Sequence, residues 1–248
     1  MVRCERLRAA ASGGDVKARI AIVAALPREV AALVRGWEMH RERRQDRQRR
    51  IFIWSSPEVI VVAAGMGATR AALAVEAALA YGPVAHLISV GLAGSCDPNV
   101  PVGSVLEATE VIDVRSGERF RTAVAAAGLP GRTLATGASI AGVREKARLF
   151  AAYGAAAVDM EAATVARLAL SHAIPFRAIK AISDDHAFEL ASLGKFQTRH
   201  GHFDTLPFAL HTAVRPHTWR QTLRLARHSQ QALDALTAAL VEEVRPKS

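Results

Sequence analysis

Apolar positions arrive along this chain in two alternating rhythms. RIAIVAAL (19–26), EVIVVAAG (58–65) and AHLISVGLAG (85–94) are short, nearly continuous apolar runs bounded by proline or glycine, the pattern of strands buried on both faces. PREVAALVRG (27–36), GMGATRAALAVEAALAYG (65–82) and VREKARLFAAYG (143–154) instead space their apolar residues by three and four. That spacing predicts helices, with Pro27 at a first helical position and Gly36, Gly82 and Gly154 as stops. IFIW (51–54) and RTLATG (132–137) read as further strands, with Ser55, Ser56 and Pro57 forming a turn after the first. VGSVLEATEVIDV (102–114) alternates as a strand or strand pair. AAAVDMEAATVARLALSHA is a strand entering a helix, PFRAIKAISDD (175–185) is a strand, and Trp219 to Val244 is one long amphipathic helix. The alternation predicts a single three-layer α/β/α domain with a twisted mixed sheet over residues 19–248. Residues 1–18 read as a disordered leader.

Composition narrows the core and the setting. Half the 248 residues are hydrophobic but only 5% are aromatic, so the core is built mainly from Ala, Val, Leu and Ile. No apolar run reaches the roughly 18 residues of a membrane span, and the charged N-terminus lacks a signal peptide's apolar stretch. Cys4 and Cys96 have no framework spacing. The expectation is a cytoplasmic protein. The formal charge is +9, and much of it lies in RERRQDRQRR (41–50). This run reads as an edge hairpin whose arginines blunt an exposed strand, with contact to an anionic inner-membrane surface as the alternative. Nucleic acid is disfavoured, because no aromatic residues interleave to stack bases.

In open α/β sheets, ligands sit beyond the carboxyl ends of the strands. The polar residues there are Glu29, the glycine turns at 65–67 and 91–94, the acids of DMEAA (159–163), and Ser183-Asp184-Asp185. A single acid at a helix start is explained by capping, and Asp159 keeps that explanation. Three carboxylates converging from distant segments are less easily explained so, and they make Glu29, Glu161 and Asp184 functional candidates. GMGATR (65–70) is not a dinucleotide fingerprint: Arg70 takes the third glycine position, and no acid follows at the required distance. Six histidines crowd the last third, but HGH (200–202) is too tight for a metal pair, so no metal site is expected.

IAIVAALPREV, VVAAGMGATRAA, LISVGLAGS, VPVGSVLEATEV, AVDMEAATVARLA and FRAIKAISDD follow one another as in the purine nucleoside phosphorylase and nucleosidase superfamily. Over residues 19–185 the chain most clearly resembles its 5′-methylthioadenosine/S-adenosylhomocysteine nucleosidase branch. The resemblance implies a phosphorylase/hydrolase-like fold and cleavage of an N-glycosidic bond. Glu29 would then activate water, Glu161 would hold the ribose 2′ and 3′ hydroxyls, and Asp184 would protonate the leaving purine. Gly67, Gly91, Ala93, Gly94, Ile140, Asp159, Met160 and Ser183 would line the substrate. The chemistry needs these types: the sugar gains oxocarbenium character, the base leaves better when protonated, and an ionised carboxylate accepts two hydroxyl hydrogen bonds at once. No metal or organic cofactor is implied, only phosphate as a co-substrate if the enzyme is a phosphorylase. The resemblance further implies a homo-oligomer.

The chain also departs from that pattern. Leu92 replaces a serine, and Ser89 stands where related phosphorylases carry arginine, so the phosphate site is not evident; Arg28 and Arg70 are the other candidates for positive charge. The stretch from Val114 to Gly142 is short and offers Ile140 but no aromatic ring for the base. Lys180 and Arg177 add positive charge near the site. The segment after Asp185 carries Phe188, Phe196, Phe203, Phe208 and Trp219, read either as packing or as an apolar channel. This C-terminal part resembles the hopanoid-associated phosphorylase branch, taken to remove adenine from adenosylhopane. The expected function is release of adenine from a nucleoside with a bulky 5′-substituent. The alternatives are a methylthioadenosine/S-adenosylhomocysteine nucleosidase and a non-catalytic nucleotide- or membrane-binding member.

Overall fold

The computed structural model describes residues 18–43, 50–127, 131–189 and 219–245. The remainder of the leader, the middle of the arginine-rich run, Phe196, Phe203, Phe208 and the histidines at 200, 202, 211 and 217 lie outside these residues. The strands are β1 (Arg19–Ala24), β2 (Glu38–Arg43), β3 (Arg50–Ser55), β4 (Val59–Ala63), β5 (Val84–Ser95), β6 (Val105–Glu107), β7 (Glu110–Asp113), β8 (Arg119–Arg121), β9 (Thr133–Thr136), β10 (Ala155–Asp159) and β11 (Phe176–Asp184). The helices are α1 (Ala68–Ala80), α2 (Val143–Tyr153), α3 (Ala162–Ser171) and α4 (Trp219–Glu243).

All the strands join one mixed sheet in the order β2-β3-β4-β1-β5-β10-β9-β7-β8, with β11 branching from β5 and β6 pairing on the far edge of β11. The branch exists because β5 serves three neighbours. It runs parallel to β1 from Val84 to Ser89 and parallel to β11 from Leu87 to Gly94. Beyond the end of β1, β10 takes up the vacated edge, antiparallel at Gly94 and Ser95. The strand exits of β1, β10 and β11 are thereby drawn to one place.

The period of two in the central strands sorts their residues onto two faces. Ala21, Val23, Ile60 and Val62 pack with Ala71, Ala74 and Val75 of α1 and Ala163, Val165 and Ala166 of α3. Ile22, Ala24, Val59 and Val61 pack on the other side with Val30, Leu33 and Val34 and with Ala232, Leu236 and Leu240 of α4. This is the expected layering, with small alanines letting the helices lie close. α2 closes a third cluster through Leu149 against Ala135, Ala155 and Val158, and ends where Gly154 takes φ +61°, a left-handed conformation suited to glycine. Truncating the fully buried Leu236 to Ala should cost about 2–5 kcal/mol, read as a lowered midpoint in urea unfolding.

Two expectations need correcting. Residues 27–36 are not a regular helix: Pro27–Glu29 form one 3-10 turn, and irregular turns lead to Gly36. The apolar spacing is used, since Val30, Leu33 and Val34 are buried, but the Glu29 side chain folds back onto the preceding backbone and holds the segment tight. The run 102–114, read as a strand or a strand pair, holds two strands, β6 and β7. Arg177 does not serve the strand exits: it pairs with Glu107 of β6 at 2.6 Å and with Glu243 of α4. β8 was not legible as a strand, while β2 sits at the sheet edge where the arginine-rich hairpin was expected. Among the described residues no helix is long and apolar enough to cross a membrane.

Candidate active site

The first carboxylate is set by the exit of β1. Glu29 Oε2 accepts the N–H groups of Ala25 and Leu26 at 3.0 and 2.8 Å, and Oε1 accepts the N–H of Leu92 at 3.3 Å. The carboxylate is 4% exposed. Burial raises its pKa; the backbone donors, Lys180 and Arg28 oppose this without cancelling it. Gly91 lets β5 approach this closely. Its φ is +142°, and a Cβ there would stand 3.0 Å from Glu29 Oε1.

The second group lies at the seam of β10 and α3. Glu161 Oε1 accepts the N–H of Gly67, at the start of α1, at 2.6 Å. Burial, and after it the neighbouring Asp159, push its pKa up to about 7. Asp159 itself is fully engaged. Its Oδ1 accepts the Thr136 hydroxyl at 2.7 Å, while Oδ2 accepts the Ala162 N–H at 2.9 Å and pairs with Lys180 Nζ at 2.9 Å. It thus satisfies the first N–H of α3 from two residues before the N-cap position, which Glu161 occupies. Lys180, 1% exposed, also donates to Ser89 Oγ at 3.0 Å and to the Val90 carbonyl at 3.4 Å. Burial works to lower its pKa, but Asp159, Glu161 and Glu29 raise it further, so the net direction is up.

The third group ends β11. Asp184 Oδ1 accepts the Ser183 hydroxyl at 2.6 Å, and Oδ2 pairs with Lys146 of α2. Burial raises the Asp184 pKa, Lys146 and Ser183 pull it down, and Asp185 adds to the rise; burial prevails. Gly94 makes room here, since a Cβ would lie 2.8 Å from Asp184 Oδ2.

Glu29, Glu161 and Asp184 line one cavity of about 1010 Å³. Of the other candidates, Ala93, Gly94, Ile140, Asp159, Met160 and Ser183 also line it. Gly67 and Gly91 are not in its wall, and act by shaping the carboxylates. Arg28 borders the cavity, whereas Arg70 is buried on α1 away from its wall. Sequence reasoning missed Lys146 and the α4 face carrying Leu225, Ser229, Leu233 and Thr237. Lys146 had a signal: it falls on the apolar stripe of its helix, three residues before the buried Leu149, where a lysine is out of place. Among the described residues no group of His, Cys, Asp and Glu is arranged to hold a metal.

Comparison with known proteins agrees with this architecture. The family model of the phosphorylase superfamily matches residues 19–128 and 125–202. No curated protein matches the chain. Among solved structures, futalosine hydrolase of Helicobacter pylori strain 26695 aligns with 17% identity and a TM-score of 0.64, over 93% of this chain and 100% of that one. The 5′-methylthioadenosine/S-adenosylhomocysteine nucleosidase of Helicobacter pylori gives 16% identity and a TM-score of 0.63, over 92% and 99%. A putative nucleosidase of the same kind from Borrelia burgdorferi B31, bound to adenine, gives 16% and 0.65, over 91% and 99%. At such identities the structures speak for the fold alone, but the family match spans most of the sequence, and the chain belongs to the phosphorylase superfamily.

Proposed function

We propose that the protein hydrolyses the N-glycosidic bond of an adenine nucleoside carrying a bulky 5′-substituent. One observation carries the reading: Glu29, Glu161 and Asp184, from three strand exits far apart in sequence, border a single cavity. Glu29 takes a proton from the attacking water, Glu161 accepts the ribose hydroxyls, and Asp184 gives a proton to the departing base. Burial suits Asp184 to the last role, because a carboxyl must hold its proton to act as an acid near neutral pH. The superfamily relative from Borrelia burgdorferi was solved with adenine, which supports adenine as the base. No metal or organic cofactor enters this chemistry.

Water is favoured over phosphate on local grounds. The Leu92 N–H is spent on Glu29. Ser89 is 1% exposed and bonded to Lys180, so neither group faces an incoming anion, and a phosphate dianion would have to settle beside carboxylates. The 5′-substituent is argued from size. The cavity stands at the top of the ~300–1,000 Å³ range of small-molecule sites, and its lining includes Ala31, Ala32 and, on α4, Leu225, Ala226 and Leu233. That apolar lining supports a lipid-like group such as that of adenosylhopane, met at an anionic inner-membrane face by a protein of charge +9. The structural likeness to methylthioadenosine nucleosidases favours the smaller substrates as the second reading. Assembly as a homo-oligomer belongs to the same proposal.

The test is free adenine released from adenosylhopane, methylthioadenosine, S-adenosylhomocysteine and adenosine, with and without phosphate. Release without phosphate, fastest from adenosylhopane, is expected. A phosphate requirement would make the enzyme a phosphorylase. No adenine from any of the four, with folded protein, would leave a non-catalytic nucleotide- or membrane-binding role. The same assay reads Glu161. Its pKa of about 7 means the ionised clamp is lost as pH falls through that value, so KM should rise roughly tenfold per unit on the acid side. A KM constant from pH 6 to 8 rules the clamp out.

A further inference from the structure

We infer that Lys146 is a positioning residue for the acid: it fixes Asp184 towards the leaving base and supplies the counter-charge for the carboxylate left when the proton has gone. The inference rests on the reading of Asp184 as proton donor.

Lys146 is 1% exposed, and an ammonium taken out of water persists only with its donors satisfied. They are: Nζ donates to Asp184 Oδ2, to the Asp185 carbonyl at 2.8 Å and to the Phe188 carbonyl at 3.2 Å. A lysine ammonium has three N–H groups, so none remains to reach into the cavity. Lys146 therefore acts through Asp184 and not on the substrate. The carboxyl is confined on every side. Ser183 holds its other oxygen, Lys146 holds Oδ2, and Gly94 of β5 leaves so little room that an added Cβ would touch both Asp184 Oδ2 and Lys146 Cε. Lys146 also ties the strand exit to the turn that follows it, whose Glu189 caps the start of α2 at the Val143 N–H, 3.2 Å away.

In the step itself the C1′–N9 bond breaks and its electron pair stays with the base. The Asp184 proton passes to a ring nitrogen of the base, leaving a carboxylate beside the Lys146 ammonium. Water adds its oxygen to C1′ and releases its proton to Glu29, so charge and atoms balance. Among the described residues, the charged and titratable groups around the pair are few. Glu145 of α2 is held below its usual range first by the hydrogen bond from Arg148. Asp185 is bonded to Arg224 of α4 at 2.9 Å, and His228 of α4 stands against Phe188. Cys96, at the end of β5, has its thiol pushed up to about 12 by burial, well above the pH range of an assay.

The experiment compares Lys146→Met and Lys146→Arg with the wild type in the full-length protein, recording kcat and KM for adenine release from pH 5 to 9 beside thermal melts. In Lys146→Met, kcat should fall about 100-fold with KM within about threefold, an effect of the size seen when one preorganised charge partner is removed. Its basic limb should move to higher pH by about one unit or more, because the carboxyl keeps its proton longer without a neighbouring cation. In Lys146→Arg the limb should stay in place while kcat drops about tenfold, since a guanidinium fork does not fit a site built for three converging N–H groups. A wild-type limb and kcat within about threefold in Lys146→Met would overturn the inference while leaving the enzyme reading intact. If Lys146→Met does not fold, an unchanged kcat in Lys146→Arg overturns it instead. A wild type that releases no adenine fails the enzymatic reading and takes this inference with it.

Discussion

Asp184→Asn should lower the rate of adenine release by about 10²–10⁴-fold, the usual worth of a positioned general acid, with KM little changed. Asparagine keeps the shape and one oxygen for the Ser183 hydroxyl but has no proton to surrender. The side chain also carries structural weight, since its partner Lys146 is almost wholly buried. The ionised carboxylate left by proton transfer balances that ammonium, which an asparagine cannot do, so rates must be normalised to folded protein by circular dichroism or a melt. Glu29→Gln is the companion. An amide nitrogen must face either the Ala25 and Leu26 donors or the Leu92 donor, whichever oxygen it replaces. Its loss of rate should match that of Asp184→Asn, while its binding of adenine should survive. Retention of a third or more of wild-type kcat by folded Asp184→Asn would remove Asp184 from the acid role.

The largest effect on stability should come from Lys180→Met. The substitution fits a methylene stem of similar length but leaves Asp159 buried without its cation, and it strips Ser89 and the Val90 carbonyl of a donor. Breaking a buried pair from one side costs about 3–5 kcal/mol. For a chain of this size each kcal/mol lowers Tm by about 2–4 °C, so a drop of roughly 6–20 °C is expected. Adding Asp159→Asn should recover part of it, because the stranded charge is then gone while the amide oxygen still accepts either the Ala162 N–H or the Thr136 hydroxyl. Urea unfolding of the single and double variants measures both. A Tm for Lys180→Met within about 2 °C of wild type would show that the pair contributes little.

The parts of this structure that repeat a local rule were readable from sequence. Buried strands, the glycine stop at 154 and the three acids at strand exits follow from period, turn chemistry and chain order. At DMEAA both acids border the cavity; Asp159 also accepts the first N–H of α3, whereas Glu161 stands at that helix's N-cap position. What failed depends on contacts between distant segments. The spacing in 27–36 looked helical because Val30, Leu33 and Val34 do face the core, yet the Glu29 carboxylate, bonded to backbone on two strands' ends, sets a tight turn instead. Lys180 was noticed but not understood, because its meaning lies in Ser89 and Asp159, 91 and 21 positions away. Arg177, three residues earlier on the same strand, faces a different set of neighbours and serves α4. The α4 wall of the cavity was invisible for the same reason, since an amphipathic helix shows which stripe is apolar but not what its flanks meet.

The forked pairing of β5 has a consequence for how the molecule opens. Most of the backbone N–H groups in its middle are covered by β1 on one side or β11 on the other, and its end is shared with β10. A fluctuation that detaches one neighbour leaves β5 held by the next, so its amides should exchange with solvent deuterium only when the whole sheet comes apart. The backbone beside Glu29 and Asp184 is thus expected to be among the slowest-exchanging in the protein, although it borders the open cavity. Chemistry at that site would run on a floor that does not breathe, with any give left to the walls.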